Sequence, residues 1–265
     1  MQVASRQPIW QETGGGGGTV LTMRFTEATG LYVNFWIDAL PDAEPVAIWG
    51  DGTKETLPRG HSGWWPHTFA SYGECKVRVK NSSFVGFTVW DSISYRWSDA
   101  LVSIVDKGGT YNSARSGAYK NCRNLETVIL TAPGVGMGQR PFAGCTSLKK
   151  VSIPGGSYFY DGTFENCPLL EKLEFRNADT LWYSIFSGCA RLREIDLGNV
   201  YQIAGGALSG APALTDVRVS NLTVGQLTQS ERIGNVNGGP FPFGAGPNVR
   251  FHCTDGIVLG NGTRI

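Results

Sequence analysis

Four cysteines recur at nearly equal intervals in the second half of the chain and are the first candidates for chemistry. Cys122, Cys145, Cys167 and Cys189 are separated by 23, 22 and 22 residues. A structural zinc ion needs four ligands that converge on one point, often supplied as CxxC pairs, and this chain contains no CxxC pair. Equal spacing instead predicts a line of thiols, one in each unit of a repeat, and no metal site.

The other residue types that carry catalysis are sparse. The three histidines are His61, His67 and His252, and no spacing suggests a Ser-His-Asp or Cys-His pairing. No P-loop, Rossmann fingerprint or HExxH phrase occurs, and the glycine run 14–18 lacks a following Lys-Ser/Thr. Asp51 lies between two glycines with no second carboxylate at a useful spacing nearby, which favours a turn residue over a calcium ligand or an acid catalyst. We expect no catalytic residue, no cofactor and no enzyme activity.

The cysteines belong to a phrase that recurs every 22 or 23 residues. Its pattern is small–aromatic–x–x–Cys–x–x–Leu–x–x–φ–x–φ, where φ is aliphatic or Phe. The copies read AYKNCRNLETVIL (118–130), PFAGCTSLKKVSI (141–153), TFENCPLLEKLEF (163–175), IFSGCARLREIDL (185–197) and ALSGAPALTDVRV (207–219). A fixed period of this length predicts a solenoid, in which each coil buries its apolar face only against its neighbours.

Equivalent positions of the coils should stack as columns of buried side chains. One column is aromatic and another is leucine; two more lie on the strand and one lies on the return segment. Their members are Tyr119, Phe142, Phe164, Phe186, Leu208; Leu125, Leu148, Leu170, Leu192, Leu214; Val128, Val151, Leu173, Ile195, Val217; Leu130, Ile153, Phe175, Leu197, Val219; and Met137, Phe159, Leu181, Ile203.

The spacing of neighbouring coils does not by itself exclude disulfides between the cysteines. Strands lie about 4.8 Å apart, and disulfide Cα separations run from about 4.4 to 6.8 Å. The fifth copy, however, has Ala211 where the others have cysteine. The column therefore requires a small apolar side chain, and we predict a structural ladder of buried, unreactive thiols.

The repeats resemble the BspA-type leucine-rich repeats of bacterial surface proteins and related phage-encoded proteins. The resemblance covers 118–219 and implies one strand on the concave side of each coil, with a looser segment across it. It also implies adhesion or binding at a cell or particle surface. We expect residues 91–117, or the domain before them, to cover the first coil. The stretch 231–248 and then 249–253 should close the last coil, after an insertion of about 13 residues beyond the repeat length.

The first half of the chain predicts short alternating strands from Thr19 to about Trp90. Two phrases there, AIWGDGT (47–53) and HTFASYG (67–73) followed by the strand CKVRV (75–79), resemble the PKD-type immunoglobulin-like domain. We predict a mainly β chain: a flexible arm and glycine tether over 1–18, a PKD-like β-sandwich over 19–93, and a leucine-rich-repeat solenoid of about five to seven coils, with a C-terminal cap, over 94–265.

Two surfaces are candidates for binding. The outward columns of the concave sheet gather Glu174, Glu194, Asp196 and Asp216 in the later coils, which suggests a patch for a cation or a basic ligand. The alternative is a solvated face balanced by Lys172 and Arg218. The second candidate is the Gly-rich loop 59–66, where Trp64 and Trp65 can stack on sugar rings or anchor a protein interface. One of the two tryptophans can instead fill the core.

Composition limits the partners. The 23 basic and 22 acidic residues nearly cancel, so we expect no nucleic acid partner. No apolar stretch of 18 residues and no apolar signal segment appears, so we expect no membrane insertion. We predict a surface recognition protein that binds a glycan or protein on a cell surface. Its setting is a phage virion, where the N-terminal arm contacts other virion proteins; the alternatives are a secreted bacterial adhesin and the accessory module of an enzyme.

Overall fold

The fold is known from a computed structural model that describes residues 18–87, 96–106, 113–132, 134–175, 177–178, 180–228, 241 and 243–265. The predicted arm and tether therefore lie outside the described residues, apart from Gly18. Most of the predicted closing stretch 231–248 also lies outside them. The described chain is mainly β, as the sequence predicts, with one five-residue α-helix, α1 (Val224–Thr228), and a short 3-10 helix (Arg96–Ala100).

Seven strands form the N-terminal part, and the burial of alternate residues along them explains how they pack. They are β1 (Thr19–Phe25), β2 (Tyr32–Ala39), β3 (Val46–Ile48), β4 (Lys54–Thr56), β5 (Ser62–Thr68), β6 (Gly73–Lys80) and β7 (Ser82–Gly86). One sheet has the order β5-β2-β7, and the strands β1-β6-β3-β4 end a second, larger sheet. The rings of Phe35 on β2 and Trp49 after β3 stack at 6.0 Å, so the two sheets share one core.

The second half is a solenoid with two parallel sheets. The strands on one side are β8 (Leu101–Asp106), β10 (Thr127–Ile129), β12 (Lys150–Ser152), β14 (Lys172–Glu174), β16 (Glu194–Asp196) and β18 (Asp216–Arg218). The return strands are β9 (Ser113–Ala114), β11 (Val135–Met137), β13 (Gly156–Phe159), β15 (Thr180–Leu181) and β17 (Gln202–Ile203). A hairpin of β19 (Arg250–Cys253) and β20 (Gly256–Leu259) follows β18 and closes the end of the sheet.

A single twelve-stranded sheet runs through both halves, in the order β20-β19-β18-β16-β14-β12-β10-β8-β1-β6-β3-β4. The change of direction occurs at β8, which pairs antiparallel with β1 and parallel with β10. The first coil is therefore covered by hydrogen-bonded strands, and its edge is not left open to pair with another chain.

The inward columns of the coils are buried and stack in register. The rings of Tyr119, Phe142, Phe164 and Phe186 follow one another at centroid distances of 5.3, 5.6 and 6.1 Å, with interplanar angles of 8° or less. All five leucines and both strand columns are also buried, as is the return column from Met137 to Ile203. Each such side chain contributes about 1.5–3 kcal/mol through burial, so stacking supplies the stability that an isolated coil lacks.

We expect Phe164→Ala to lower the free energy of unfolding by about 3–5 kcal/mol, because it leaves a cavity between two stacked rings that relaxes only in part. Chemical denaturation followed by circular dichroism measures the change. The control is Tyr201→Ala, whose side chain is 70% exposed and whose loss should cost less than about 0.5 kcal/mol. A cost for Phe164→Ala as small as that of the control would contradict the stacked-coil account.

Candidate functional site

The structure separates the two adjacent tryptophans onto opposite faces of one strand. The prediction of a loop over 59–66 is wrong from Ser62 onward, because β5 pairs residue by residue with β2 and this pairing overrides the local Gly and Pro signals. Trp65 points toward the core side and is half-buried, and its indole N–H donates to the Glu55 carboxylate. Trp64 points outward and remains 36% exposed. The two rings therefore do not form a single clamp.

Trp64 belongs to a cluster on the outer face of the β5-β2-β7 sheet. Its ring meets Trp36 of β2 edge-on at 5.5 Å, and the Arg115 guanidinium lies over the Trp36 ring at 5.1 Å. Asp38 holds the cluster together: its carboxylate accepts from Trp36 Nε1 at 2.9 Å and from Ser62 Oγ at 2.6 Å, and pairs with Arg115 Nη2 at 2.6 Å. Arg115 follows the return strand β9, so this cluster joins the two halves of the protein. Sequence reasoning missed it, because Arg115 and Trp36 are distant along the chain and share no motif.

The four acidic residues of the predicted concave patch do not converge on one point. Register places Glu174 beside Asp196, and Glu194 beside Asp216. Glu174 Oε2 accepts from Ser152 Oγ in the preceding coil at 3.0 Å, whereas Asp196 Oδ1 accepts from the Gly198 backbone in its own turn at 3.0 Å. The Asp216 carboxylate instead contacts side chains of the following strand, β19. Within the described ranges, no group of three or more His, Cys, Asp or Glu side chains is arranged to hold a metal ion.

Asp216 is held by two side chains of β19, the Arg250 guanidinium and the His252 imidazole. Its carboxylate lies 2.7 Å from Arg250 Nη2 and 2.7 Å from His252 Nε2, and its side chain is only 11% exposed. Desolvation raises the pKa of Asp216, but hydrogen bonds from Arg250, His252 and Thr215 outweigh it and bring the pKa to about 2. These contacts offset the repulsion that Glu194 exerts from the neighbouring strand.

The four ladder cysteines are buried and free. The Sγ atoms of Cys145, Cys167 and Cys189 each donate at 3.2 Å to a backbone carbonyl of the preceding coil, at Tyr119, Phe142 and Phe164. Burial raises the pKa of the first three thiols of the ladder well above the usual range and raises the pKa of Cys189 to about 12. The thiols therefore serve as small apolar side chains and not as nucleophiles.

An Asp-His pair lies at the turn predicted around Asp51. Asp51 Oδ1 accepts from the backbone N–H and the hydroxyl of Thr53, and Asp51 Oδ2 lies 2.8 Å from His67 Nε2. Desolvation raises the pKa of Asp51, but the hydrogen bonds from Thr53 and His67 outweigh it, so the pKa is lowered. His67 stacks on the buried Trp49 at 4.1 Å, and its other ring nitrogen faces Glu55 at 3.6 Å. Carboxylates thus face both ring nitrogens, and the pair fixes a turn instead of activating a nucleophile.

A second set of aromatic residues lies on the outside of the return sheet. Tyr158 and Tyr160 flank the buried Phe159 and are 47% and 41% exposed. The next coil places Trp182 against Tyr160, with the rings stacked at 5.6 Å and 15°. Strand alternation therefore turns one residue inward to the core and its two neighbours outward.

Comparison with known proteins identifies the repeats. Residues 112–230 match the family model of the BspA type Leucine rich repeat region, in six copies. This match confirms the resemblance predicted for the solenoid. It begins at residue 112 and leaves the N-terminal strands unassigned.

One similar solved structure is that of the T. pallidum Leucine Rich Repeat protein (TpLRR), with 28% identity and a TM-score of 0.38. The match covers 43% of this chain and 53% of that protein, so it spans about half of its length. No curated protein matches the chain. Among the described residues, no helix is both long and apolar enough to cross a membrane.

The Asp216 contacts predict a pH-dependent contribution to stability. Because the pKa of Asp216 is lower in the folded chain than the ordinary 3.8, its stabilisation is complete above about pH 4 and is lost as the pH falls toward 2. We expect Asp216→Asn to lower the free energy of unfolding by about 1–3 kcal/mol at pH 6, with the difference from the unmodified protein shrinking between pH 4 and 2. Urea unfolding across this range measures it. Glu194→Gln, on the neighbouring strand, is the matched control, and an equal loss in that variant would contradict the role of Asp216.

The ladder thiols should resist alkylation in the folded protein. At pH 8 we expect iodoacetamide to leave Cys122, Cys145, Cys167 and Cys189 unmodified on the time scale in which the urea-unfolded chain is fully labelled, because the thiolate is the reactive form. Peptide mass spectrometry locates the labels. Cys253 is half-buried, with a pKa raised to about 11, and should react faster than the ladder, which provides an internal reference. Labelling of the ladder at the unfolded rate would show that the column is open.

Proposed function

We propose that this protein is a non-enzymatic recognition protein that binds a glycan or a protein at a cell or particle surface. The observation that carries the proposal is the kind of side chain left outside the core. The large apolar side chains that stay exposed in the described residues are Tyr32, Trp64, Tyr72, Tyr158, Tyr160, Tyr201 and the terminal Ile265. All except the last are aromatic. Tyrosine and tryptophan combine a flat apolar ring with a polar group, which suits them to contacts with a partner in water.

Packing supports a surface function. The inward columns fill the solenoid, and the cysteines there are buried and unreactive. The Asp51–His67 pair is committed to a turn. The match to BspA-type repeats, six copies over 112–230, is consistent with a binding role. The side chains that remain available for binding lie on the faces of the sheets, as expected for a repeat architecture.

For the N-terminal part we propose a PKD-type immunoglobulin-like domain, with the boundary to the solenoid near residues 93 and 94. The support is the AIWGDGT phrase, in which Trp49 is buried between two sheets and Asp51 caps the turn through Thr53. Strand β8 lies just after this boundary and pairs with β1 and β10. The two parts are therefore proposed as domains that share a continuous sheet.

The proposed setting is a phage virion, as a tail-associated or capsid-displayed component. Its support comes from the sequence: an arm of mixed polar residues is followed by Gly14–Gly18, and glycine runs form flexible links between modules. The arm would contact other virion proteins, and the strands and coils would face the host. A cell-surface adhesin and an enzyme's accessory module are the competing settings.

Binding of the purified full chain to whole candidate host cells, and to glycans and proteins extracted from their surfaces, tests the function. We expect saturable binding that heat-unfolded protein lacks. Antibody detection in purified particles, at a fixed ratio to the capsid protein, supports the virion setting, whereas release from intact bacteria by protease shaving supports the adhesin. Turnover of a cell-surface substrate, or failure to bind any of these fractions, would contradict the proposed function.

A further inference from the structure

The return sheet has a gap in its outward side chains at β11. Val135 and Met137 of this strand are buried, while the residues that alternate with them, Gly136 and Gly138, carry no side chain. A Cβ atom at Gly136 would meet nothing within 4 Å, whereas one at Gly138 would lie 2.6 Å from the Ser116 backbone nitrogen. The gap is therefore open at Gly136 and closed at Gly138 by the preceding coil. We call this open space the β11 trough.

Aromatic side chains border the β11 trough on the side of β13. Tyr158 and Tyr160 stand on the neighbouring coil with nearly half of each side chain exposed. Trp182 stacks behind Tyr160 at 5.6 Å, which fixes the orientation of that ring. On the opposite coil, Ser113 of β9 pairs with Gly136, and Arg115 follows β9 beside Gly138. The two bordering coils lie two strand spacings apart, or roughly 10 Å. This width suits a single sugar ring or one extended chain of sugars.

The charged groups around the β11 trough each have a partner within the protein. Arg115 pairs with Asp38 at 2.6 Å, and Arg140, which follows the trough coil, pairs with Glu165 at 3.0 Å. The Asp161 carboxylate, next to Tyr160, accepts the backbone N–H of Tyr183 at 3.1 Å. An ionic ligand would have to displace one of these partners. The electrostatics of the trough therefore favour an uncharged ligand.

We propose that the β11 trough binds a neutral carbohydrate chain. The C–H faces of a sugar would stack on Tyr158 and Tyr160, and its hydroxyls would hydrogen-bond to the two phenol groups. Flat rings with polar edges, bordered by charged groups that already have partners, match a sugar better than a charged or aliphatic peptide. This inference rests on the proposed recognition function and assigns its ligand class and site.

Filling the β11 trough is the sharpest test. Gly136 has no positive φ and its Cβ direction is open, so Gly136→Leu should fold normally while its side chain occupies the binding space. The matched control is Gly225→Leu on α1, where the nearest atom to the added Cβ is Thr223 Oγ1 at 4.0 Å. A second pair compares Tyr158→Ser and Tyr160→Ser with Tyr72→Ser, a tyrosine that is 54% exposed outside the trough.

Affinity electrophoresis in gels containing dextran, mannan or galactan, followed by titration with the retained polysaccharide, measures binding. We expect the unmodified protein to be retained by at least one of them. Gly136→Leu and the two trough tyrosine variants should bind at least about tenfold more weakly, with Gly225→Leu and Tyr72→Ser unchanged. Circular dichroism and thermal unfolding establish that each variant is folded.

The possible outcomes separate the inference from the proposed function. Equal polysaccharide binding by all folded variants would overturn the trough as the site and leave the recognition function standing. Binding to a surface protein but to no neutral polysaccharide would overturn the ligand class. Retention only by anionic polysaccharides, lost in Arg115→Gln, would also overturn it. Failure to bind cells, glycans and proteins alike would refute both proposals.

Discussion

In-register stacking of like residues is the constraint on which the rest of the structure depends. Each coil places a given position one strand spacing from its copy in the next coil, so every column contacts itself. Apolar columns gain from this arrangement, as the parallel rings from Tyr119 to Phe186 show. Acidic columns lose by it, and Asp216 is accommodated because Arg250 and His252 follow on the next strand. In the cysteine column, the thiols of Cys145, Cys167 and Cys189 reach carbonyls of the preceding coil at 3.2 Å.

The same constraint explains why the solenoid needs its N-terminal neighbour. A terminal coil exposes one side of every column and an unpaired strand edge. Here β8 supplies both the next strand for β10 and the partner of β1, so the sheet continues without an edge. The first ring of the aromatic column, Tyr119, also donates its hydroxyl to the carbonyl of Val85 on β7. Stability of the first coil and of the N-terminal sheets is therefore coupled.

The sequence was sufficient for what repeats and insufficient for what does not. Each inward column consists of similar residues that recur at the same position of every repeat, so the solenoid and its buried residues could be predicted from the period alone. The strand character of 62–68 could not, because β5 forms by pairing with β2 against local Gly and Pro signals. The partners of Asp216 were hidden for another reason: Arg250 and His252 lie 34 and 36 residues further on, beyond an insertion that breaks the period. Contacts across the junction, such as Arg115 on Trp36, have no sequence signal.

The outward aromatic residues are the part of the chain that folding does not account for. Replacing an exposed tyrosine on a sheet face with a polar residue costs little stability, whereas the inward rings are required by the stack. A chain selected only to fold would have no need for Tyr158, Tyr160 and Trp182 to stand together beside a strand whose outward positions are both glycine. Gly138 is explained by the close approach of Ser116, but Gly136 faces open space and a larger side chain would fit there. The absence of a side chain at that one position, with two phenol rings beside it, is what distinguishes a binding trough from an ordinary solvated sheet face.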